Sequence, residues 1–146
     1  FRMAGEHKHY SPGEVQALFE LKGWRVRPLI CYDLRFPVWS RDSQDTDLLL
    51  YTANWPAARR HHWNRLIPAR AIENLCYVAA VNRVGTDGKG HPYSGDSQVL
   101  DFQGESLLDA GDGDGVFHAS LSAAQLAAYR ERFPAYLDAD DFTLAR

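Results

Sequence analysis

Apolar and polar positions change period several times along the chain, and each change marks an element. Residues 1–14 are polar and broken by Ser11-Pro12-Gly13, the pattern of loop and turn. VQALFELK (15–22) fits either a strand or a short helix. After Gly23, WRVRPLICY carries Trp24, Val26 and then Leu29-Ile30-Cys31, which predicts a strand entering the core. The chain leaves it through YDLRFP (32–37), and Pro37 suits the first position of a helix, where its missing N–H is not needed. TDLLLYTAN (46–54) is a continuous apolar run, as in a strand buried on both faces, and Asn54-Trp55-Pro56 ends it. From Ala57 to Asn74, Trp63, Leu66, Ile67 and Ala71, with Leu75 just beyond, recur at helical spacing. Pro68 inside that stretch is expected to kink or split the helix. CYVAAVNRV (76–84) predicts a second buried strand.

GTDGKGHPYSGD (85–96), dense in glycine, is expected to be a long loop. SQVLD, the turn FQGE and SLLDA predict a hairpin, and VFHASL (116–121) a further strand after GDGDG. Ser122 to Gln125 has the form of a capping box, opening a helix with Leu126, Tyr129 and Phe133 on one face and Pro134 as its stop. Residues 137–146 are expected to be a polar arm. Strands, hairpins and helices intermingle without an internal repeat, which argues for a layered α/β fold rather than a bundle.

Composition narrows the classes. A chain of 146 residues with 45% hydrophobic, 12% aromatic and 24% charged residues is expected to form one domain with a real core, which excludes a disordered chain. A net charge of −3 offers no attraction to nucleic acid or an anionic membrane. No apolar run approaches the ~18–20 residues of a membrane span, and FRMAGEHKHY has no apolar core of a signal peptide. Two cysteines cannot form a disulfide framework, so a reducing, cytoplasmic setting is expected. The start on Phe1, with Met3 the only methionine, leads to the expectation of a chain cut from a longer one.

Cys31 stands at the carboxyl end of an apolar strand, where the chain turns abruptly, a favoured place for catalytic groups in layered folds. By itself it is a candidate nucleophile or a small buried hydrophobe. Cys76 opens a buried strand with nothing polar beside it and is expected in the core. His61-His62 and His7-Lys8-His9 lack metal-ligand spacing, and adjacent helical residues point about 100° apart, so packing or solvated histidines are expected. GTDGKG lacks the strand-to-helix spacing of a phosphate loop.

GWRVRPLICYDLRFPVWSR, DLLLYTANWP, HWNRLIPARAIENLCYVAAVNRVG and GDSQVLDFQGE occur in that order, and together they resemble the carbon–nitrogen hydrolase (nitrilase) superfamily, most of all its omega-amidase branch. The most specific pieces are CYDLRFP and the RAIEN-x-x-YV block. The resemblance implies an α/β fold, the four-layer α-β-β-α sandwich of that superfamily, with residues 1–146 as the C-terminal part, about half, of a single carbon–nitrogen hydrolase domain. It implies a cofactor-free and metal-free hydrolase, acting on a small-molecule amide such as a dicarboxylic monoamide, in a homodimer or larger homo-oligomer. Cys31 becomes the nucleophile and Glu6 the second, assisting glutamate of the family. The family's lysine and first glutamate belong upstream of Phe1, and Lys8 lies on the wrong side of Glu6 to be that lysine. The backbone N–H of Tyr32 is implied as an oxyanion donor. Asn54 and Trp55 are placed on the pocket wall, although Trp55 also suits plain core. Arg35 either clamps a substrate carboxylate or pins the turn after Cys31, and Glu73 is implied as a structural partner of Arg70. The rival expectations are another substrate (an N-carbamoyl amine, a nitrile or a deaminated-peptide amide) and a non-catalytic binding or scaffold protein on the same fold.

Overall fold

Two largely apolar runs, LLLYTA and YVAAVN, form the middle of a sheet, each paired with a strand on either side; their burial on both faces, expected from the sequence, holds only toward their amino-terminal ends. The computed structural model describes residues 5–13, 15–41 and 45–141. Its strands are β1 (Phe19–Leu21), β2 (Trp24–Ile30), β3 (Leu48–Ala53), β4 (Tyr77–Asn82), β5 (Val84–Thr86), β6 (Pro92–Ser94), β7 (Gln98–Leu100) and β8 (Ser106–Asp109). The helices are α1 (Pro37–Ser40), α2 (Arg60–Asn74) and α3 (Ala123–Arg132). Six strands form one sheet in the order β1-β2-β3-β4-β7-β8; β2, β3 and β4 run parallel, and the outer neighbours pair antiparallel.

The parallel register puts Leu29, Tyr51 and Ala80 in one row and Leu49 beside Val78 in the next, all facing α2. Trp63, Ile67 and Ala71 of α2 fill the other side of that core, and each is fully buried. On the opposite face α3 covers only the amino-terminal end of the ladder, where Leu126 meets Tyr77 and Phe102. Ile30, Thr52 and Val81, paired in register at the carboxyl end, are exposed on that face. The α/β class therefore holds. Of the four layers expected, the described residues supply one major sheet and its helices, together with the two-stranded sheet β5–β6.

Several local expectations are corrected. Pro68 does not split α2, which runs unbroken from Arg60 to Asn74. A proline removes one N–H from the ladder, and the buried residues Trp63, Ile67 and Ala71 on both sides of it hold the helix together. The expected loop 85–96 contains the β5–β6 hairpin; its turn is built by Asp87, whose Oδ1 accepts the N–H groups of Lys89 and His91 at 2.9 Å each. Residues 116–121 form no strand: no sheet edge pairs with them, and Val116 is 84% exposed. VQALFELK resolves as strand only over Phe19–Leu21. Ser122 caps α3 by accepting the Gln125 N–H at 3.3 Å, but its own N–H goes to the Tyr77 hydroxyl, so the box is half formed. Phe133 lies past the helix end and is 52% exposed, which shortens the apolar face. A 3-10 turn over Ala135–Asp138 takes in the first two residues of the expected arm, 137 and 138. Residues 1–4 and 14 of the expected loop and 142–146 of the arm lie outside the described residues.

Candidate active site

Cys31 follows the last residue of β2 and opens a 3-10 turn over Cys31–Arg35. Its φ of 42° puts a non-glycine residue in the left-handed region, a strained conformation that persists only where its surroundings hold it. Those surroundings are specific. The Ile30 N–H donates to Asp33 Oδ2 at 2.8 Å, and Ser40 Oγ donates to the Asp33 carbonyl at 3.0 Å. Buried Arg70 donates to the Leu34 carbonyl from Nε at 3.2 Å and from a terminal nitrogen at 3.0 Å. Glu73 pairs with Arg70 at 3.0 Å, and Asn74 donates to the Ser40 carbonyl at 3.1 Å. The RAIEN block is thus a brace for the cysteine turn, and Glu73 serves Arg70 rather than the cleft.

The thiol is half-buried, and burial is the main cause that pushes its pKa up. Against it work the backbone N–H of Asn54 and the Arg59 guanidinium, while the charges of Glu6 and Asp33 raise it further. The described residues by themselves therefore keep Cys31 protonated near neutral pH.

Cys31 opens onto a broad cleft of about 1440 Å³ whose lining includes Glu6, Tyr32, Asn54, Trp55, Arg59 and Tyr93. Strand polarity explains the assembly. Ile30 pairs with Thr52, so the carboxyl ends of β2 and β3 deliver Cys31 and Asn54 side by side. Glu6 reaches the same cleft from a 3-10 turn over Glu6–Lys8. Trp55 is both wall and core: it lines the cleft at 2% exposure and tilts against Trp63 with ring centroids 5.7 Å apart. Asn82 fixes it by accepting the Trp55 N–H at 2.7 Å and donating to the Trp55 carbonyl at 3.2 Å.

Arg35 is the candidate that does not line the cleft. Its guanidinium lies 5.8 Å from the Tyr32 ring centroid and 5.4 Å from that of Trp55, and one nitrogen is 2.9 Å from His62 Nδ1. Burial, His61 and the Arg35 and Arg59 cations push the His62 pKa down, which leaves a neutral ring able to accept from Arg35. Among the described residues Arg35 makes no ion pair, so the structural ion pair expected as one alternative is replaced by contacts with Tyr32, Trp55 and His62.

Among the lining residues that sequence reasoning did not single out are Arg59, His91 and Tyr93. His91 and Tyr93 arrive on the hairpin that the glycine-rich composition disguised, and the Tyr93 hydroxyl donates to Asp87 Oδ2 at 3.0 Å. Arg59 ends a short 3-10 turn after β3, beside the Asn54-Trp55 pair already singled out, so proximity to that strand end was the available signal.

The chain is similar to several known proteins. Residues 3–131 match the family model of carbon-nitrogen hydrolases. The chain is 57% identical over 145 residues to omega-amidase YafV of Yersinia enterocolitica, covering 99% of this chain and 57% of that protein. It is 37% identical over 140 residues to 2-oxoglutaramate amidase of Bacillus subtilis, covering 94% and 54%. The crystal structure of XC1258 from Xanthomonas campestris, a CN-hydrolase superfamily protein with an arsenic adduct in its active site, superposes with a TM-score of 0.96 at 49% identity, over 99% of this chain and 58% of that one. The expected half is corrected by these shares, since the chain spans 57% of the length of the Yersinia relative. The chain belongs to the carbon–nitrogen hydrolase family.

Proposed function

We propose that the whole protein is a thiol amidohydrolase of the omega-amidase kind, releasing ammonia from small dicarboxylic monoamides such as 2-oxoglutaramate. The observation that carries this reading is Cys31, held at φ 42° on the carboxyl edge of the sheet and open to a cleft. The relatives named omega-amidase and 2-oxoglutaramate amidase support the substrate class.

In the proposed reaction the Cys31 thiol gives its proton to a base, and the thiolate so formed bonds to the amide carbon. The carbonyl oxygen takes the negative charge, received by the Tyr32 N–H and the lysine that the family resemblance places upstream. Collapse breaks the carbon–nitrogen bond, the nitrogen takes a proton and departs as ammonia, and a thioester remains. Water then adds to the thioester carbonyl and the sulfur leaves as the acid forms. Glu6 helps to orient the reacting groups, while Asn54 and Trp55 wall the acyl chain. No cofactor enters these steps. The upstream glutamate is the base in this scheme, which fits a thiol that the described residues keep protonated. We place residues 1–146 in a single carbon–nitrogen hydrolase domain of a cytoplasmic homodimer or larger homo-oligomer.

The test is ammonia release by the whole protein from succinamate and 2-oxoglutaramate, with mass spectrometry for an acyl group on Cys31. Turnover with a Cys31 adduct supports the reading. Turnover confined to N-carbamoyl amines or nitriles, or no adduct on Cys31, overturns it.

A further inference from the structure

Four arginines stand at the Cys31 edge, and their side chains have different fates; Arg83, just past β4, is taken up by the Tyr93 ring, 4.9 Å from its centroid, and by the Thr86 carbonyl. Arg35 is taken up by Tyr32, Trp55 and His62. Arg60 gives both arms of its guanidinium to Asp96, from Nε and a terminal nitrogen, at 2.7 Å each. Arg59 lines the cleft, is half-buried, and has no side-chain hydrogen bond or ion pair among the described residues. Its backbone is nevertheless fixed: its N–H donates to the Pro56 carbonyl at 2.9 Å, and its carbonyl accepts the Trp55 indole N–H at 2.8 Å.

A half-buried guanidinium with an anchored backbone and no partner lacks the anion that its geometry suits; a carboxylate, taking two parallel N–H bonds, is the best match. Arg59 is also the one permanent cation among the described residues that line this cleft. It stands near enough to Cys31 for its charge to act on the thiol. We propose that Arg59, rather than Arg35, receives the carboxylate of the substrate and thereby sets the preference of the site for acids bearing a terminal amide. This inference rests on the amidase reading for the identity of the substrate, but the anion-binding role of Arg59 can be measured without turnover.

The turnover arm compares succinamate with butyramide, an amide of matched length that lacks the carboxylate, in the whole protein. Arg59→Gln lowers the ratio of kcat/KM for succinamate over butyramide by roughly 10- to 100-fold, the range of a charge-assisted hydrogen bond. Arg59→Lys, which keeps the charge and loses the fork, gives an intermediate ratio, and Arg35→Gln leaves the ratio near that of the parent. The second arm follows alkylation of Cys31 by iodoacetate, an anion, and iodoacetamide, its neutral counterpart, by mass spectrometry. Arg59→Gln selectively slows iodoacetate, so the ratio of the two rates falls. If Arg59 merely tunes the thiol, both reagents slow together and the ratio stays constant, which overturns the proposal. If neither amide is turned over but the iodoacetate ratio still falls, the amidase reading fails and the anion site stands. A succinamate preference that follows Arg35→Gln instead of Arg59→Gln sinks the assignment.

Discussion

The parallel ladder β2–β3–β4 has a cysteine near each end, and the two ends are built on opposite terms. At the amino-terminal edge Cys76 is fully buried, and its N–H reaches the Ala71 carbonyl at 3.3 Å. Beside it a charge cluster is satisfied within the fold: Asp47 pairs with Arg25 at 2.8 Å and with Arg130 at 3.0 Å, and Arg130 also donates to the Leu75 and Thr46 carbonyls at 2.8 and 2.6 Å. At the carboxyl edge Cys31 sits at positive φ, and Arg59, lining a cleft, has no side-chain ion pair among the described residues. The same residue type is sealed in the core at one end and open to a cleft at the other because strand polarity decides which end gathers loops. The amino edge spends its polar groups on the fold, whereas the carboxyl edge leaves some for a ligand.

Cys31→Ala tests the contrast at its strongest. In the whole protein this substitution is expected to remove turnover by at least about 10³-fold, since the nucleophile itself is gone. Its thermal midpoint should stay close to the parent's, because the sulfur is only half-buried and alanine tolerates the left-handed φ no worse than cysteine. Ammonia release and a thermal melt on the same preparation check both halves. A variant that keeps turnover removes Cys31 from the mechanism.

Much of this edge was legible in the chain because continuous apolar runs and a following turn locate strand ends directly. ICYDLRFP announced both the end of β2 and the cysteine turn, whereas the Arg70–Glu73 pair was implied only by the family resemblance. Arg35 and Arg59 could not be separated that way: both follow a buried strand by a few residues, and only the packing of Tyr32, Trp55 and His62 around Arg35 tells them apart. The β5–β6 hairpin was hidden because its turn is made by the Asp87 side chain within a glycine-rich segment, so composition outweighed pairing. VFHASL shows the reverse error: alternation and β-branching favour a strand, but strand propensity needs a partner edge, and residues 116–121 have none.

Glu6→Gln comes next in size. Glutamine keeps the volume and removes the charge, so the proposed orienting role predicts a fall in kcat of about 10- to 100-fold with thioester formation still detectable. Because the Glu6 charge raises the Cys31 pKa, the same variant should alkylate with iodoacetamide slightly faster at neutral pH. Unchanged kcat would make Glu6 a bystander on the cleft rim.

Asp47→Asn probes the opposite edge and should spare the chemistry. Burial works to raise the Asp47 pKa, but the hydrogen bonds and charge of Arg25, with Arg130 behind them, outweigh it and hold the carboxyl below its ordinary value. A carboxylate depressed on folding stabilises above its unfolded pKa, about 3.9, and that stabilisation is lost as pH falls through the lower folded value. The parent is therefore expected to exceed Asp47→Asn in stability at pH 7, with the gap narrowing as the medium is acidified below about pH 4. Urea unfolding of both proteins across that range measures the gap, and a difference independent of pH would refute the ion-pair account.

Cys76→Ala carries the smallest effect and completes the contrast. The sulfur at this position is fully buried in the cluster formed with Leu34, Tyr51, Ile67 and Val78, so its removal leaves a small void. Losing about one buried heavy atom costs on the order of 1 kcal/mol, less than the larger Leu-to-Ala truncations because less volume is emptied. The Cys76 backbone bond to Ala71 survives, since it uses only the main chain. Turnover should remain within about twofold of the parent, as one deleted atom at a packed site away from the cleft rarely moves catalytic groups. Denaturant midpoints and ammonia release together decide the outcome. A Cys76 variant that loses activity as fully as Cys31→Ala would mean that the two ends of the ladder are not chemically distinct.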